Sequence, residues 1–327
     1  MKVYTLDIDS GERNPVSYPD PADYVVTLKN PIYDVTKISM ISARIHNSQF
    51  LIHERNNKMD VDVTGITGTK TITLATGNYS GQELATEVKT KINAAFTPTV
   101  ISGATFDKDT NAITFVDGTN TYDFTFKFYT GTNGYSNVSD NTYTTPHDIL
   151  GLPASDVSST SKTLVTGSIN LQGADAIIVK LSSGSDEFNK TVFSDSPFYT
   201  GRILMCGDVI NYSGVDDTVE HNFDSGTQKT ISSLRVQFYY SSNNRLIPYD
   251  FRNANHILKL AVTCSTDKMA TVSKSKRFES LPAPMEIPSE FSEDVHSWDA
   301  FIPIFMVVAV GLFLLLVIKK PKRLELT

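Results

Sequence analysis

The chain has 327 residues, 40% hydrophobic and 20% charged, with a net charge of −7 from 36 acids and 29 bases. It is too apolar for a disordered chain, and no global positive field draws it to nucleic acid. Its two cysteines, Cys206 and Cys264, exclude a disulfide-rich scaffold and a four-thiolate metal site.

From Met1 to about Val272 the sequence runs in short alternating segments broken by turn residues. Val3–Ile8, Tyr24–Leu28, Ile38–Ile45, Thr71–Leu74, Ala112–Val116, Tyr122–Tyr129, Ala176–Leu181, Leu234–Tyr240 and Ile257–Thr263 are examples. Period-two alternation of Val, Ile, Thr, Tyr and Phe predicts half-buried strands. Asp107–Asn111 and Asn243–Arg245 read as hairpin loops. One helix is expected. Ser80, with Glu83 three residues later, is a capping box, and Leu84, Val88, Ile92 and Ala95 continue one apolar face. Many short strands and one short helix predict an all-β body over residues 1–277, a jelly-roll or Greek-key β-sandwich. The Ser-rich stretch Ser155–Lys162 reads as a long loop, with a join between two sandwiches as the alternative.

Residues 278–299 hold Pro282, Pro284 and Pro288 and no strand pattern, which predicts an extended acidic linker. Residues 300–319 then read as a transmembrane helix and 320–327 as a basic tail. Phe301 to Ile318 is uncharged throughout and, as a helix, would span roughly 27 Å, close to a bilayer's hydrocarbon thickness. Trp298 stands at one mouth, and Lys319, Lys320, Lys322 and Arg323 crowd the other as interfacial anchors. Pro303 is expected in the first turn, where its missing N–H costs little. A buried core helix is the competing reading, and so uniform a run argues against it.

Orientation divides two rules. The opening MKVYTLDIDSGERNP lacks the apolar stretch of an export signal, so the body is expected to stay in the cytosol and insert by its tail. The positive-inside rule would instead keep the basic tail cytosolic, because Glu279–Asp299 carries acids and no Lys or Arg. The missing signal is given the greater weight.

Catalytic motifs are absent. His46, His53, His147, His221, His256 and His296 show no HxH or HExxH spacing. Asp107, Asp109 and Asn111 begin like a calcium loop, but Ala112 stands where Gly is needed and Gly118 where Glu is needed. Gly65–Thr71 lacks the spacing of a phosphate loop and reads as a turn, no GxSxG elbow occurs, and both cysteines read as core thiols. The expectation is a protein that is not an enzyme, with no cofactor and no small-molecule substrate. Sequons at Asn78, Asn137, Asn189 and Asn211 matter only if the body enters a secretory lumen. Lys274, Lys276 and Arg277 form a second basic cluster suited to lipid or a partner, and the tail Lys319–Arg323 also suits a polyanion such as packaged DNA.

The opening carries a resemblance. Ile8-Asp9-Ser10-Gly11-Glu12-Arg13-Asn14 is followed by Tyr18-Pro19-Asp20-Pro21-Ala22-Asp23-Tyr24 and by Ile38-Ser39-Met40-Ile41-Ser42-Ala43-Arg44-Ile45. In this order, and continuing through Gly77-Asn78-Tyr79-Ser80, Ile149-Leu150-Gly151-Leu152, Asn170-Leu171-Gln172-Gly173 and Ile231–Val236, it resembles the minor virion proteins of large icosahedral DNA viruses. Gly11 departs from the usual Arg, and His46-Asn47-Ser48 from a Pro-containing turn. The resemblance implies a capsid-associated β-sandwich. With a membrane anchor, it looks like the minor capsid proteins beneath the outer shell of chlorella-virus-like particles, around their internal bilayer. The implied partners are the major capsid protein, other minor capsid proteins and one lipid bilayer, and the implied location is the virion, between capsid shell and inner membrane. Competing readings are a membrane-anchored cell-surface adhesin, and a penton or spike-base protein.

Overall fold

The computed structural model describes residues 1–119, 121–189, 198–214, 218–223, 229–266 and 298–318. It divides into two compact units, Met1–Thr266 and Asp267–Thr327. In the first unit, in chain order, the strands are β1 (Lys2–Asp9), β2 (Asp23–His46), β3 (Lys58–Val63), β4 (Ile66–Thr73), β5 (Gly103–Asp107), β6 (Ala112–Val116), β7 (Phe124–Lys127), β8 (Val157–Ser158) and β9 (Thr163–Val165). They continue as β10 (Ala176–Ser183), β11 (Asp186–Glu187), β12 (Gly201–Leu204), β13 (Val209–Tyr212), β14 (Glu220–Asn222), β15 (Lys229–Ser242), β16 (Arg245–Pro248) and β17 (Ile257–Cys264). Helix α1 (Gly81–Ala95) follows β4, and helix α2 (Trp298–Ile318) belongs to the second unit.

Among the described residues the fold is an all-β sandwich, antiparallel in every strand pair, with two separate hydrophobic cores. The first core is built on a ten-stranded network, ordered β1-β17-β2-β15-β10-β11, with β13 and β14 on β2, β12 on β10 and β16 on β15. Its centre is β2. The first half of that strand pairs with β15, and the second half lies between β17 on one edge and β13 and β14 on the other. Both halves contribute buried side chains to one cluster, including Tyr24, Ile38, Ile45, Phe238, Phe251 and Leu260.

Sequence periodicity divides β2 into two strands, Tyr24–Leu28 and Ile38–Ile45; the structure makes it one strand of 24 residues. The intervening Lys29, Asn30 and Pro31 are exposed and sit at a register shift against β15, where a missing proline N–H removes no ladder bond. A second irregularity repairs the inward face. Ile38 and Met40 are buried, Ile41 is 43% exposed, and the buried set resumes at Ala43 and Ile45. Pairing jumps there from Lys259↔Ser42 to Leu260↔Met40, so the bulge at Ile41 shifts the alternation by one and keeps apolar side chains inside.

The buried residues of the second core all fall between Leu51 and Ile169, in the stretch between β2 and β10. It contains two small sheets, β4-β3-β7-β8 and β5-β6-β9, with α1 packed beside them. The Ser80 capping box is present, and Leu84, Val88 and Ile92 are buried, as their spacing predicts. Both expected hairpins form. Asp107 pairs with Ala112, and Ser242 with Arg245 across Asn243 and Asn244, whose φ values of 45° and 60° suit a two-residue turn. Ser155–Lys162 lies within this second lobe. Val157 pairs with Phe126, and Lys162 and Ser159 both reach the Asp123 carboxylate. The segment read as a turn over Gly65–Thr71 is mostly strand: Gly65 alone, with Thr64, makes the bend, and β4 begins at Ile66.

Candidate functional site

The second unit presents the clearest feature. Helix α2 is 21 residues long, and every residue from Phe301 (52% exposed) to Ile318 (75%) is exposed or small. Among the described residues it is the single helix long and apolar enough to cross a membrane, by length and composition. None of the Phe301–Ile318 stretch is buried, unlike the core helix of a soluble protein. Trp298 is the first helical residue, which moves Pro303 from the expected first turn into the second. Its missing N–H therefore leaves the Asp299 carbonyl without its usual helical partner. Lys319, Lys320, Lys322 and Arg323, the basic cluster at Lys274–Arg277 and the linker up to Ser297 lie outside the described residues.

In the first unit, the motifs behind the resemblance are structural fasteners. Asp9 caps the 3₁₀ turn Ser10–Glu12 by accepting from the Gly11 N–H. Arg13 spreads its guanidinium over the carbonyls of Ser10, Tyr18 and Pro19 and the Asn255 side chain. The five donors of an arginine fork suit such a hub. Asp20 caps the Ala22 N–H, Asp23 binds Arg235 through two nitrogens, and the Tyr24 hydroxyl lies 3.0 Å from His256 Nε2. Further along, Gly151 has φ 63°, and a Cβ there would collide with the Ser168 carbonyl. Asn170 accepts from the N–H groups of Gln172 and Gly173. These residues shape turns and fasten distant segments of the body.

A polar seam joins the two cores. Tyr240, on β15, places its hydroxyl 3.0 Å from His53 Nε2, and Asn56 accepts from the His53 N–H. Ser242 donates to Asp148 Oδ2 at 2.7 Å, Thr144 Oγ1 lies 2.8 Å from Ser242 Oγ, and His147 Nε2 lies 3.1 Å from Asp148 Oδ1. Arg245 closes the edge by donating to the carbonyls of Tyr135, Val138 and Tyr143, with its guanidinium 4.7 Å from the Tyr135 ring centroid. Burial pushes the Asp148 carboxyl up, but the bond and charge of His147 and the Ser242 hydroxyl outweigh it and hold the group below the usual range. Ser, His and Asp meet here in an order that does not activate a nucleophile. The Ser242 hydroxyl donates to the carboxylate and not to the imidazole, so the three do not form a serine–histidine–aspartate relay.

His53 and His256 are buried packing residues, His46 is exposed on β2, and His296 lies outside the described residues. Burial pushes His53 down to about 4 and His256 to about 3, and His256 is enclosed by Phe238, Phe251 and Tyr24. Among the described residues no group of three or more His, Cys, Asp or Glu side chains is arranged to hold a metal. Asp107 instead binds the Asp109 N–H and the Thr110 hydroxyl within its hairpin. One cysteine departs from expectation: Cys264 is buried, but Cys206 is exposed, because it lies in the turn between β12 and β13 and not on a strand. Of the sequons, Asn137 commits its amide to the carbonyls of Thr130 and Gly131, while Asn78 is exposed.

The fold thus defines an all-β protein with, among the described residues, one exposed apolar helix. The chain belongs to the family of unknown function DUF5901, whose model matches residues 1–276. No curated protein sequence matches it. Among solved structures it is similar to the mavirus penton protein, at 11% identity and a TM-score of 0.39, covering 80% of this chain and 99% of that one. It is also similar to a chain of the Sputnik virophage, at 11% identity and a TM-score of 0.30, covering 80% of this chain and 98% of that one.

Proposed function

We propose that this protein is a virion structural protein, a minor capsid protein that tethers the outer capsid shell to an internal membrane. The observation that carries this reading is the pairing of an all-β body, whose sequence motifs are spent on turns and fasteners, with an 18-residue apolar stretch that has no burial of its own. The order of the opening motifs, which resembles minor virion proteins of large DNA viruses, supplies the viral context. In this mechanism the sandwich docks on major and other minor capsid proteins. The helix holds lipid, with Trp298 and the bases from Lys319 to Arg323 at its two mouths. Repetition in a lattice converts weak contacts into high avidity. No residue transforms a substrate, and the basic tail touches packaged DNA at most weakly.

Protease protection on purified particles, read with antibodies to body and tail, tests the proposal. Intact particles should shield both ends, and stripping the outer shell should expose the body but not the tail. Cleavage of the body on intact particles, with N-glycans at Asn78, would replace the tether with the cell-surface adhesin.

A further inference from the structure

A cleft of about 920 Å³ opens where the two cores of the first unit meet. Both chain crossings between the lobes line it: Asn47 and Gln49 to Leu51 on the way out of β2, and Asn170 to Asp175 on the way into β10. Its size falls within the ~300–1,000 Å³ of small-molecule sites, which favour such junctions.

The lining narrows the ligand class. Among the described residues it contains no Lys, Arg or His, so nothing there neutralises a phosphate, sulfate or carboxylate. Carboxamides, hydroxyls and carboxylates predominate over apolar side chains, which disfavours an acyl chain, and no metal-binding cluster is present among the described residues. The cleft walls are mainly loops and turns, and several of their main-chain groups are already tied: Asn47 N–H to the Asp208 carbonyl, Met205 N–H to Asp175, Asn170 N–H to Ile149. A peptide therefore finds no open ladder to extend.

What remains is an array of directed side-chain groups. The amide oxygens of Asn47, Gln49 and Asn78 are occupied by the Tyr249 hydroxyl, the Asp250 N–H and the Leu51 N–H. Their NH₂ groups have no acceptor among the described residues, and each still has two donors to offer. Asp175 and Asp208 are exposed, and their carboxylates have no hydrogen-bond or ion partner among the described residues. Donors and unpaired acceptors lining one cleft suit a ligand whose groups both donate and accept, which is the property of a hydroxyl. The partly exposed Phe50 ring already carries the Arg252 guanidinium, 3.5 Å from its centroid, and is left out of the grip. We propose that this cleft binds a neutral saccharide, gripped by the amides of Asn47, Gln49 and Asn78 and by the carboxylates of Asp175 and Asp208.

The full chain in detergent micelles, applied to an array of neutral, sialylated and sulfated oligosaccharides, tests the site. Saturable binding to neutral glycans is expected, weakened about tenfold or more, roughly 1.4 kcal/mol, in Asp175→Ala/Asp208→Ala. The single variant Gln172→Ala, at an exposed rim position, should weaken it less, and Asp7→Ala on β1 should leave it unchanged. Unchanged thermal unfolding shows that the variants remain folded. Four results would overturn the site: no neutral binding, binding confined to anionic glycans, capture of peptides instead, or neutral binding that survives Asp175→Ala/Asp208→Ala. None of these bears on the protease-protection result.

Discussion

The two cores of the body are similar in composition and opposite in how the chain builds them. The first closes β1 against β17, the first and last strands of the body, and cannot be complete until the whole body has been traversed. The buried residues of the second come from one continuous stretch, Leu51 to Ile169, between two strands of the first. Long-range pairing carries the larger loop-closure cost and folds late, whereas local contacts form early. The inserted lobe is therefore the more self-sufficient half, and the sandwich depends on distant segments meeting in register. The polar seam of Tyr240, His53, Ser242 and Asp148 lets the two halves communicate without merging their hydrophobic clusters.

The strongest way to break the comparison is to empty one core at a time. Phe238 is buried in the first core, 5.2 Å from the Phe251 ring and 4.6 Å from that of His256. Phe238→Ala should cost about 3–5 kcal/mol. Hydrogen exchange should then show lost protection in β1, β2, β15 and β17 while amides of residues 51–169 keep theirs. The matching change in the second core is Phe126→Ala, beside Phe115, Phe124 and Phe128. It should reverse the pattern. Equal loss in both lobes from either variant would mean that they unfold as one.

Acid is the next lever. His53, in the seam, and His256, in the first core, are both held neutral by burial, at about 4 and about 3. The unfolded chain, with histidine near 6.5, binds more protons than the folded one below that pH. The stability tied to each neutral histidine is thus complete above about 6.5 and declines as pH falls, on the order of 2 kcal/mol each by pH 5. Below about pH 4 the His53 contribution levels off, and His256 continues to about 3. Urea midpoints between pH 7.5 and 5 should fall less steeply in His53→Gln and in His256→Gln. A slope equal to wild type in both would show that other groups govern acid lability.

The smallest expected effect sharpens the contrast. Ser80 closes the capping box of α1 with Glu83, and Ser80→Ala should remove about 1 kcal/mol. Exchange at the first turn of α1 and its neighbours β5 and β6 should speed up, and the sandwich strands should not respond.

Legibility in the sequence followed the range of the interaction. The capping box at Ser80, the hairpin at Asn243–Asn244 and the apolar run Phe301–Ile318 are written in neighbouring residues, and each appears in the structure where its residues stand. The continuity of β2 was hidden, because Lys29-Asn30-Pro31 carries turn chemistry that a bulge tolerates. The exposure of Cys206 was hidden for a related reason: apolar neighbours suggest a core, but a tight turn carried the thiol outward. The cleft had no local signal at all, since its walls come from the two lobe crossings, the loop at Thr144–Ile149 and the hairpin ends of β15 and β16.

The amino-acid sequence by itself determined the class of the fold, the helix in the second lobe with its cap, the turn residues and the apolar segment near the end. These depend on backbone propensity and on periodicity over a few residues. Only the tertiary structure decided that β1 closes on β17, that residues 51–169 form a core of their own, and that Asn47, Gln49, Asn78, Asp175 and Asp208 share one cleft. Those outcomes depend on which apolar faces can be buried together across long stretches of chain, a choice that no local pattern records.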